Sequence, residues 1–206
     1  MITTVASFKG GVGKTTTSIH LAAYLAAKRG ADRVVLGDGD VNRSALSWAD
    51  RGGARVPFLV TDGDDVPDDY RHLVIDTPAR PTGIELFALA ESSNLLVIPT
   101  SITPFAMEAA IATLGDLATL PKGKYRVLLT LMPPPNRSRG KLARQALENA
   151  GLPLFKGSIQ NRTIYQDAEL EGLPVNLMRG EAAIAAWSDY QSIGKEIDKL
   201  LKGHGK

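Results

Sequence analysis

The amino-acid sequence predicts a doubly wound α/β fold, with helices on both faces of a mostly parallel sheet. Short runs rich in Val, Ile and Leu alternate with longer amphipathic stretches, and within the short runs apolar and polar residues do not alternate. Such runs are typical of strands that are buried on both faces, as in a parallel sheet covered by helices. A length of 206 residues suits one well-buried domain, so we expect residues 1–206 to form a single domain.

The predicted strands are five short apolar runs. In chain order they are ITTVASF (2–8), RVVLGD (33–38), HLVIDTP (72–78), NLLVIPT (94–100) and YRVLLTLM (125–132). Amphipathic stretches at 16–28 and 103–120 predict helices, and the tail at 181–201 predicts one or two more. The apolar residues of that tail are expected to pack against the core: Ile184, Trp187, Ile193, Ile197 and Leu200. The acidic run DGDDVPDD at 62–69 predicts an exposed turn, with a Mg²⁺ site as the weaker alternative.

Composition excludes several classes of protein. The chain contains no cysteine, which excludes disulfides, thiolate metal sites, cysteine-held iron–sulfur clusters and cysteine nucleophiles. No apolar run approaches the roughly 20 residues that span a bilayer, and the start of the chain does not resemble a signal peptide. We therefore expect a soluble, cytoplasmic protein.

The formal net charge of +2 is distributed unevenly along the chain. Residues 122–162 contain nine basic side chains and one acidic side chain, a charge of about +8, whereas the rest of the chain is about −6. Clustered cations are typical of a surface that binds a polyanion, because phosphate contacts release counterions. A solvated basic surface without a ligand is the alternative.

The sequence KGGVGKTT lies between an apolar strand and a helical stretch, which is the setting of a phosphate-binding loop. Its glycines allow the backbone to fold around an anion and to present N–H donors. Lys14 is expected to reach the β- and γ-phosphates, Thr15 to offer its hydroxyl to Mg²⁺, and Thr16 to contact the α-phosphate. If the fold is that of a P-loop NTPase, the expected nucleotide-binding residues are Lys9, Gly10, Gly11, Val12, Gly13, Lys14, Thr15 and Thr16.

The loop departs from the strict Walker A pattern, GxxxxGK[ST]. Phe8 stands where that pattern has glycine, and a second lysine, Lys9, follows it. This resembles the deviant Walker motif, KGGxGK[ST], of the ParA/MinD family of ATPases. The resemblance implies a homodimer that sandwiches ATP and Mg²⁺, in which Lys9 reaches the partner's phosphates as an arginine finger does. Lys9 and Lys14 are then both catalytic.

Three aspartates follow predicted strands. Asp38 and Asp40, in GDGDVN, resemble the family's DxDxQ-like switch I segment, with Asn42 in place of the usual Gln. The resemblance implies that they are catalytic, orienting the attacking water or, for Asp38, holding Mg²⁺-bound water; a tight turn is the alternative. Asp76 begins DTPA and resembles the family's Walker B and switch II, so we expect it to bind Mg²⁺ through water. The alternative for Asp76 is a capping role in the next turn.

The second half of the chain resembles the family more loosely. PTSITPFAMEAA at 99–110 resembles the strand and helix at the dimer face, and GSIQNRTIYQDAELEGLPV at 157–175 resembles a late segment with an IPRN-like motif. Adenine contacts are expected from Met132, Pro133 or residues near Ile159. The residues expected to contact DNA are Arg137, Arg139, Lys141 and Arg162.

The resemblance implies a slow ATP hydrolase that a ParB-like adaptor stimulates. As the ATP dimer it would bind non-specific DNA and position a plasmid, a chromosome or a protein body such as a carboxysome, and we expect it to associate with the nucleoid. The chain begins at its first strand, so we expect the short form without an N-terminal helix-turn-helix domain.

Two alternatives remain open on the sequence. One is a MinD-like ATPase, for which the tail SIGKEIDKLLKGHGK would bind a membrane, although its tip lacks Phe and Trp. The other is a small-molecule ligase or kinase with the same loop, whose chemistry does not require Lys9. Relatives that need cysteine, such as the nitrogenase iron protein and amidoligases with a glutaminase domain, are excluded.

Overall fold

A computed structural model describes residues 1–78, 80–115, 117, 119–121 and 123–203. In this part of the chain six strands form one sheet in which all neighbouring strands are parallel. The strands are β1 (Ile2–Val5), β2 (Val34–Asp38), β3 (Leu59–Asp62), β4 (His72–Asp76), β5 (Leu95–Ser101) and β6 (Tyr125–Thr130). The helices are α1 (Lys14–Arg29), α2 (Ser44–Gly52), α3 (Gly83–Ser92), α4 (Pro104–Leu114), α5 (Ser138–Asn149), α6 (Ile164–Glu171) and α7 (Glu181–Gly203).

The strand order is β3-β2-β4-β1-β5-β6, which confirms the predicted doubly wound fold. From β1 the chain builds the sheet outward in both directions, with β4 and β5 as the two neighbours of β1. In open sheets of this kind ligands bind outside the carboxyl ends of the strands, where the order reverses. The topology therefore places the loop after β1 at the position where a ligand is expected.

Helices cover the sheet on both faces and bury two large apolar clusters. One cluster combines β1 and β2 with side chains of α1, α2, α6 and α7. The other combines β5 and β6 with α3 and α4. The tail forms one helix, α7, which packs on α1 so closely that a Cβ atom at Gly194 would lie 2.4 Å from the Tyr24 ring.

The structure corrects three expectations about the elements. The helix expected at 103–120 is Pro104–Leu114, and positions 116 and 118 lie outside the described residues. Ile184 is 70% exposed and is not a core residue, because Ala183 and Ala186 take the inward positions of that turn. Strand β3 is an edge strand that was not among the predicted strands, and its Leu59 is half exposed.

The membrane alternative depended on the apolar face of the tail. Ile193 and Ile197 are buried, and Leu201 packs partly against the same cluster. Among the described residues, no helix combines the length and the apolar character that crossing a membrane requires. The apolar face of α7 is thus occupied by the protein core.

Candidate functional site

The candidate site is a cleft at the carboxyl ends of the strands, formed around the loop between β1 and α1. Gly11 and Gly13 have φ angles of 74° and 82°, which favour glycine because a Cβ atom strains this conformation. Gly13 precedes α1 without a side-chain cap, and the first turn of α1 contains no acidic residue. The first N–H groups of a helix have no partner within it and carry partial positive charge, so this loop suits an anion.

Lys14 is a buried cation at the base of the loop. Its Nζ lies 3.1 Å from Oδ2 of Asp40 and 3.0 Å from Oδ1 of Asp76. Asp76 also accepts hydrogen bonds from the hydroxyls of Thr15, at 2.6 Å, and Ser18, at 2.9 Å. A buried charge is costly unless it is paired, so the two carboxylates stabilise Lys14 within the cleft.

The two carboxylates beside Lys14 differ in their tendency to bind a proton. Burial raises the pKa of Asp76 above its ordinary value, although Lys14 and the hydroxyl of Thr15 partly offset that effect. Burial also acts against ionisation of Asp40, but hydrogen bonds from Asn42 and Lys14 outweigh it and lower the pKa of Asp40. Asp40 is therefore the more firmly ionised partner of Lys14.

The carboxylate of Asp38 holds the start of α2. Its carboxylate accepts hydrogen bonds from the backbone N–H groups of Asp40 at 3.1 Å, Ala45 at 2.8 Å and Leu46 at 3.0 Å. Arg43, which precedes α2, provides no side-chain cap. Asp38 thus caps the N–H groups at the start of α2 although it lies several residues before the helix in the chain. Of the two aspartates, it is Asp40 that lines the cleft.

Oxygen donors suited to Mg²⁺ lie at the base of the cleft. The hydroxyl of Thr15 and the carboxylate of Asp76 are in contact, and oxygen ligands are what this hard cation prefers. In the described part of the chain, including 62–69, no three His, Asp or Glu side chains are grouped so that they could hold a metal ion. Mg²⁺ retains waters and binds through one or two carboxylates plus phosphate oxygens, so this sparse donor set fits it.

Lys9 lies at the rim of the same cleft and is partly exposed. Its Nζ lies over the ring of Phe105, 5.8 Å from the ring centroid. Phe105 is 75% exposed, Val41 is 88% exposed and Ile84 is 86% exposed. These three residues follow the carboxyl ends of β5, β2 and β4. The end of the sheet at which the strands terminate therefore carries three exposed apolar side chains together with Lys9.

Another wall of the cleft is formed by the end of β6, the segments after β6 and before α6, and the start of α6. The lining residues from these segments are Thr130, Leu131, Ile159, Gln160, Asn161, Arg162 and Tyr165. The cleft encloses about 490 Å³, within the range of about 300–1,000 Å³ that small-molecule sites occupy.

The structure does not bring Met132 or Pro133 into the cleft, where adenine contacts were expected. Met132 is buried with Leu129 and Leu147 in a small cluster beneath α5, and a Cβ atom at Gly140 would meet both Met132 and Pro133. The neighbouring Leu131, with φ of 52°, lines the cleft instead. The expectation for Ile159 is consistent with its position in the wall.

The four basic residues expected at DNA lie in two different places. Arg137, Arg139 and Lys141 are exposed at the start of α5, and their side chains have no ion-pair or hydrogen-bond partner in the part of the chain that the structure describes. Arg162 lines the cleft, and its Nε lies 3.4 Å from Oδ2 of Asp189. Arg162 is therefore separate from the exposed basic surface.

Several aromatic residues of the cleft were missed by the sequence analysis. Trp48, Tyr165 and Tyr190 line it, and His20 stacks on Tyr190 with ring centroids 4.6 Å apart. Nδ1 of His20 lies 2.6 Å from the carbonyl oxygen of Thr16, and Nε2 accepts the N–H of Val175 at 3.0 Å. Burial lowers the pKa of His20 to about 4, so the ring is neutral with its proton on Nδ1. No motif marks these four aromatic residues, because they come from four separate helices.

Comparisons with known proteins identify the family and support the fold. Residues 3–175 match the family described as the CobQ/CobB/MinD/ParA nucleotide binding domain. The chain is similar to the maintenance of carboxysome distribution protein A of Gloeobacter kilaueensis, with 36% identity over 96% of this chain and 94% of that protein. The MinD cell division protein of Aquifex aeolicus has a TM-score of 0.72 at 16% identity over 96% of both chains. A plasmid partition protein of Borrelia burgdorferi bound to AMPPNP has a TM-score of 0.71 at 20% identity, over 96% of this chain and 98% of its own.

Proposed function

Because the chain belongs to the CobQ/CobB/MinD/ParA nucleotide-binding domain family, we propose that it is a ParA-type ATPase that dimerises on ATP and positions a cargo. The observation that carries the proposal is Lys14, a buried cation held by Asp40 and Asp76 beneath the open first turn of α1. Such a cation with exchangeable partners, at the start of an uncapped helix, suits the phosphates of a nucleotide.

ATP and Mg²⁺ are the cofactors in this proposal. The β- and γ-phosphates would take the place of carboxylate oxygens at Lys14, while the backbone from Gly10 to Thr16 surrounds them. Mg²⁺, when bound, would neutralise negative charge on the phosphates. Thr15 would hold it through the hydroxyl that now contacts Asp76, and Asp76 would hold it through water.

Hydrolysis in this proposal needs a water held in line with the γ-phosphate. Asp40 already lines the cleft, whereas Asp38 would have to release the start of α2 to approach it. Both aspartates remain candidates for orienting that water, and Asp38 for holding Mg²⁺-bound water. The position of α2 would then depend on the nucleotide, because the carboxylate that now holds this helix would be needed in the cleft.

A second copy of the chain is the proposed partner across the cleft. Val41, Ile84 and Phe105 lie on the edge of the sheet that carries Lys9, and burying such side chains contributes roughly 1.5–3 kcal/mol each. Lys9 would cross that interface and contact the partner's phosphates. ATP binding, dimerisation and hydrolysis would thus be coupled, and slow hydrolysis would await a ParB-like adaptor.

Non-specific DNA is the polyanion that we propose the dimer binds. Arg137, Arg139 and Lys141 are exposed without partners in the described residues, so they are available to phosphates. The proposed cargo is a carboxysome or a similar protein body, supported by similarity to a carboxysome distribution protein over nearly the whole chain. A plasmid or chromosome is the alternative cargo. Nucleoid association follows from DNA binding.

The test is binding to a random-sequence DNA duplex with ATP, with ADP and without nucleotide, across a salt series and beside anionic liposomes. Salt-sensitive binding to DNA with ATP alone is the expected result. The matched control is Lys14→Ala, which should bind DNA equally weakly under all three conditions. Liposome binding without DNA binding would replace the proposal with a MinD-like function, and binding to neither would direct attention to a small-molecule ligase or kinase.

A further inference from the structure

Lys9 and Lys14 line the same cleft, but only Lys14 has carboxylate partners. Among the described residues Lys9 forms no ion pair, and its ammonium is a point charge on a flexible four-carbon stem. A lysine at the rim could therefore turn inward and bind the phosphates of its own subunit. That movement would bring the positive charge of Lys9 to the phosphates without a partner subunit. Hydrolysis would then depend less on dimerisation.

The contact that opposes this movement is the ring of Phe105. Phe105 is the second residue of α4, and the inward side of that helix is formed by Ala106 and Ala110, which are buried. The ring therefore lies outside the core, and its observed contact is with the ammonium of Lys9 at 5.8 Å from the centroid. A cation within about 6 Å of an aromatic face is attracted by the ring quadrupole.

We propose that Phe105 is a positioning residue that keeps the ammonium of Lys9 at the rim, away from its own nucleotide, so that a second copy of the chain receives it. This inference rests on the proposed function, because it assumes that Lys9 acts across a dimer. The ring is also exposed on the surface that the partner would cover. Dimerisation would therefore bury the ring and, in the same step, bring Lys9 to the partner's phosphates.

The test compares Phe105→Leu, which keeps an apolar side chain, with Phe105→Tyr, which keeps the ring. Binding of a non-hydrolysable ATP analogue is measured at protein concentrations below dimerisation. Phe105→Leu should increase the affinity about two- to fivefold, because Lys9 gains its own phosphates and an exposed cation–π contact has that size. Phe105→Tyr should retain the wild-type affinity. Hydrolysis at high protein concentration should fall by a similar factor in Phe105→Leu and be restored in Phe105→Tyr.

The Lys9→Met background separates positioning from general packing. There Phe105→Leu should leave analogue affinity unchanged, since no ammonium remains to be released. An unchanged affinity in Phe105→Leu alone, or an equal change in both backgrounds, would overturn the inference. If wild-type protein failed to dimerise on ATP, the proposed function would fail, whereas the affinity measurement on the monomer would still report whether Phe105 restrains Lys9.

Discussion

At the scale of single residues, a few charged side chains at the base of the cleft share their partners. Asp76 and Asp40 share Lys14, and they differ in basicity because Asp76 is fully buried whereas Asp40 also receives hydrogen bonds from Asn42. Asp38, two residues before Asp40, accepts hydrogen bonds from the N–H groups at the start of α2. Each of these groups must exchange a protein partner for a nucleotide or water partner if ATP is hydrolysed here.

The two switch aspartates can be distinguished by what each one now contacts. Asp38→Ala should lower the free energy of unfolding of nucleotide-free protein by about 1–2 kcal/mol, because α2 loses its capping carboxylate. Asp40→Ala removes one of the two carboxylates that pair with Lys14. Because Lys14 itself remains, ATP binding should persist. Either substitution should block hydrolysis and trap an ATP-bound dimer. Urea unfolding without nucleotide and single-turnover hydrolysis measure these effects.

A variant of Asp38 or Asp40 that hydrolyses ATP at the wild-type rate would remove that residue from the catalytic set. The control for stability is Asp64→Ala in the exposed acidic turn, where no change in unfolding free energy is expected. If Asp38→Ala lost hydrolysis without losing stability, the capping role of its carboxylate would be wrong.

At the scale of elements, a buried carboxylate adds a polar contact to the packing of α7 on α1. Asp198 accepts hydrogen bonds from the hydroxyl of Tyr24 at 2.7 Å and from Arg29 at 2.6 Å, and it also pairs with Lys28. Burial acts against its ionisation, but these hydrogen bonds outweigh that effect and lower the pKa of Asp198. The helix that follows the phosphate loop is thereby tied to the end of the chain.

This tie makes stability depend on pH in a defined direction. The pKa of Asp198 in the folded protein is below its value of about 3.9 in the unfolded chain. Its contribution to stability is therefore complete above the unfolded pKa and is lost as pH falls through the folded pKa. Asp198→Asn should cost about 1.5–3 kcal/mol at pH 7, the range for hydrogen bonds to a charged group. Urea unfolding should show the difference from wild type shrinking below about pH 4. The matched control is Asp64→Asn, at an exposed carboxylate of the acidic turn, which should leave the free energy of unfolding nearly unchanged.

The sequence predicted the elements whose signals are local. Strands β1, β2, β4, β5 and β6 are apolar runs, and the loop before α1 carries its own motif. Strand β3 was missed although VPFLV at 56–60 is apolar, because Pro57 interrupts the run and only Leu59–Asp62 pairs in the sheet. Ile184 was misplaced because helical spacing alone does not tell which of two adjacent apolar positions faces the core, and the smaller Ala183 does so.

The sequence predicted less of the cleft wall, because tertiary contacts bring that wall together. Leu131 and Met132 are adjacent in the chain, but the backbone pairing of Met132 with Ile159 and Asn161 leaves only Leu131 in the cleft. Tyr190 comes from the last helix and reaches the first through a contact with Thr17 at 3.3 Å. No spacing in the sequence encodes such pairings between distant segments.

At the scale of the whole molecule, the predicted basic segment 122–162 separates into groups with different partners. Lys124 donates to backbone carbonyls of Glu91 and Ser93, and Arg144 donates to those of Phe155 and Gly157. Arg162 pairs with Asp189, and Lys122 lies outside the described residues. The surface available to a polyanion is therefore narrower than the charge count suggests, and it is centred on the start of α5.

Charge reversal can test whether that narrower surface binds DNA. Arg137→Glu combined with Arg139→Glu should lower the affinity for DNA in the presence of ATP at least tenfold at low salt and reduce its salt dependence, because fewer counterions are released. ATP hydrolysis without DNA should be unchanged, since both side chains lie outside the cleft. Lys195→Glu combined with Lys199→Glu, on the exposed side of α7, changes the net charge equally and should affect DNA binding far less. Equal loss in both variants would mean that total charge governs binding, and the assignment of the α5 surface would be wrong.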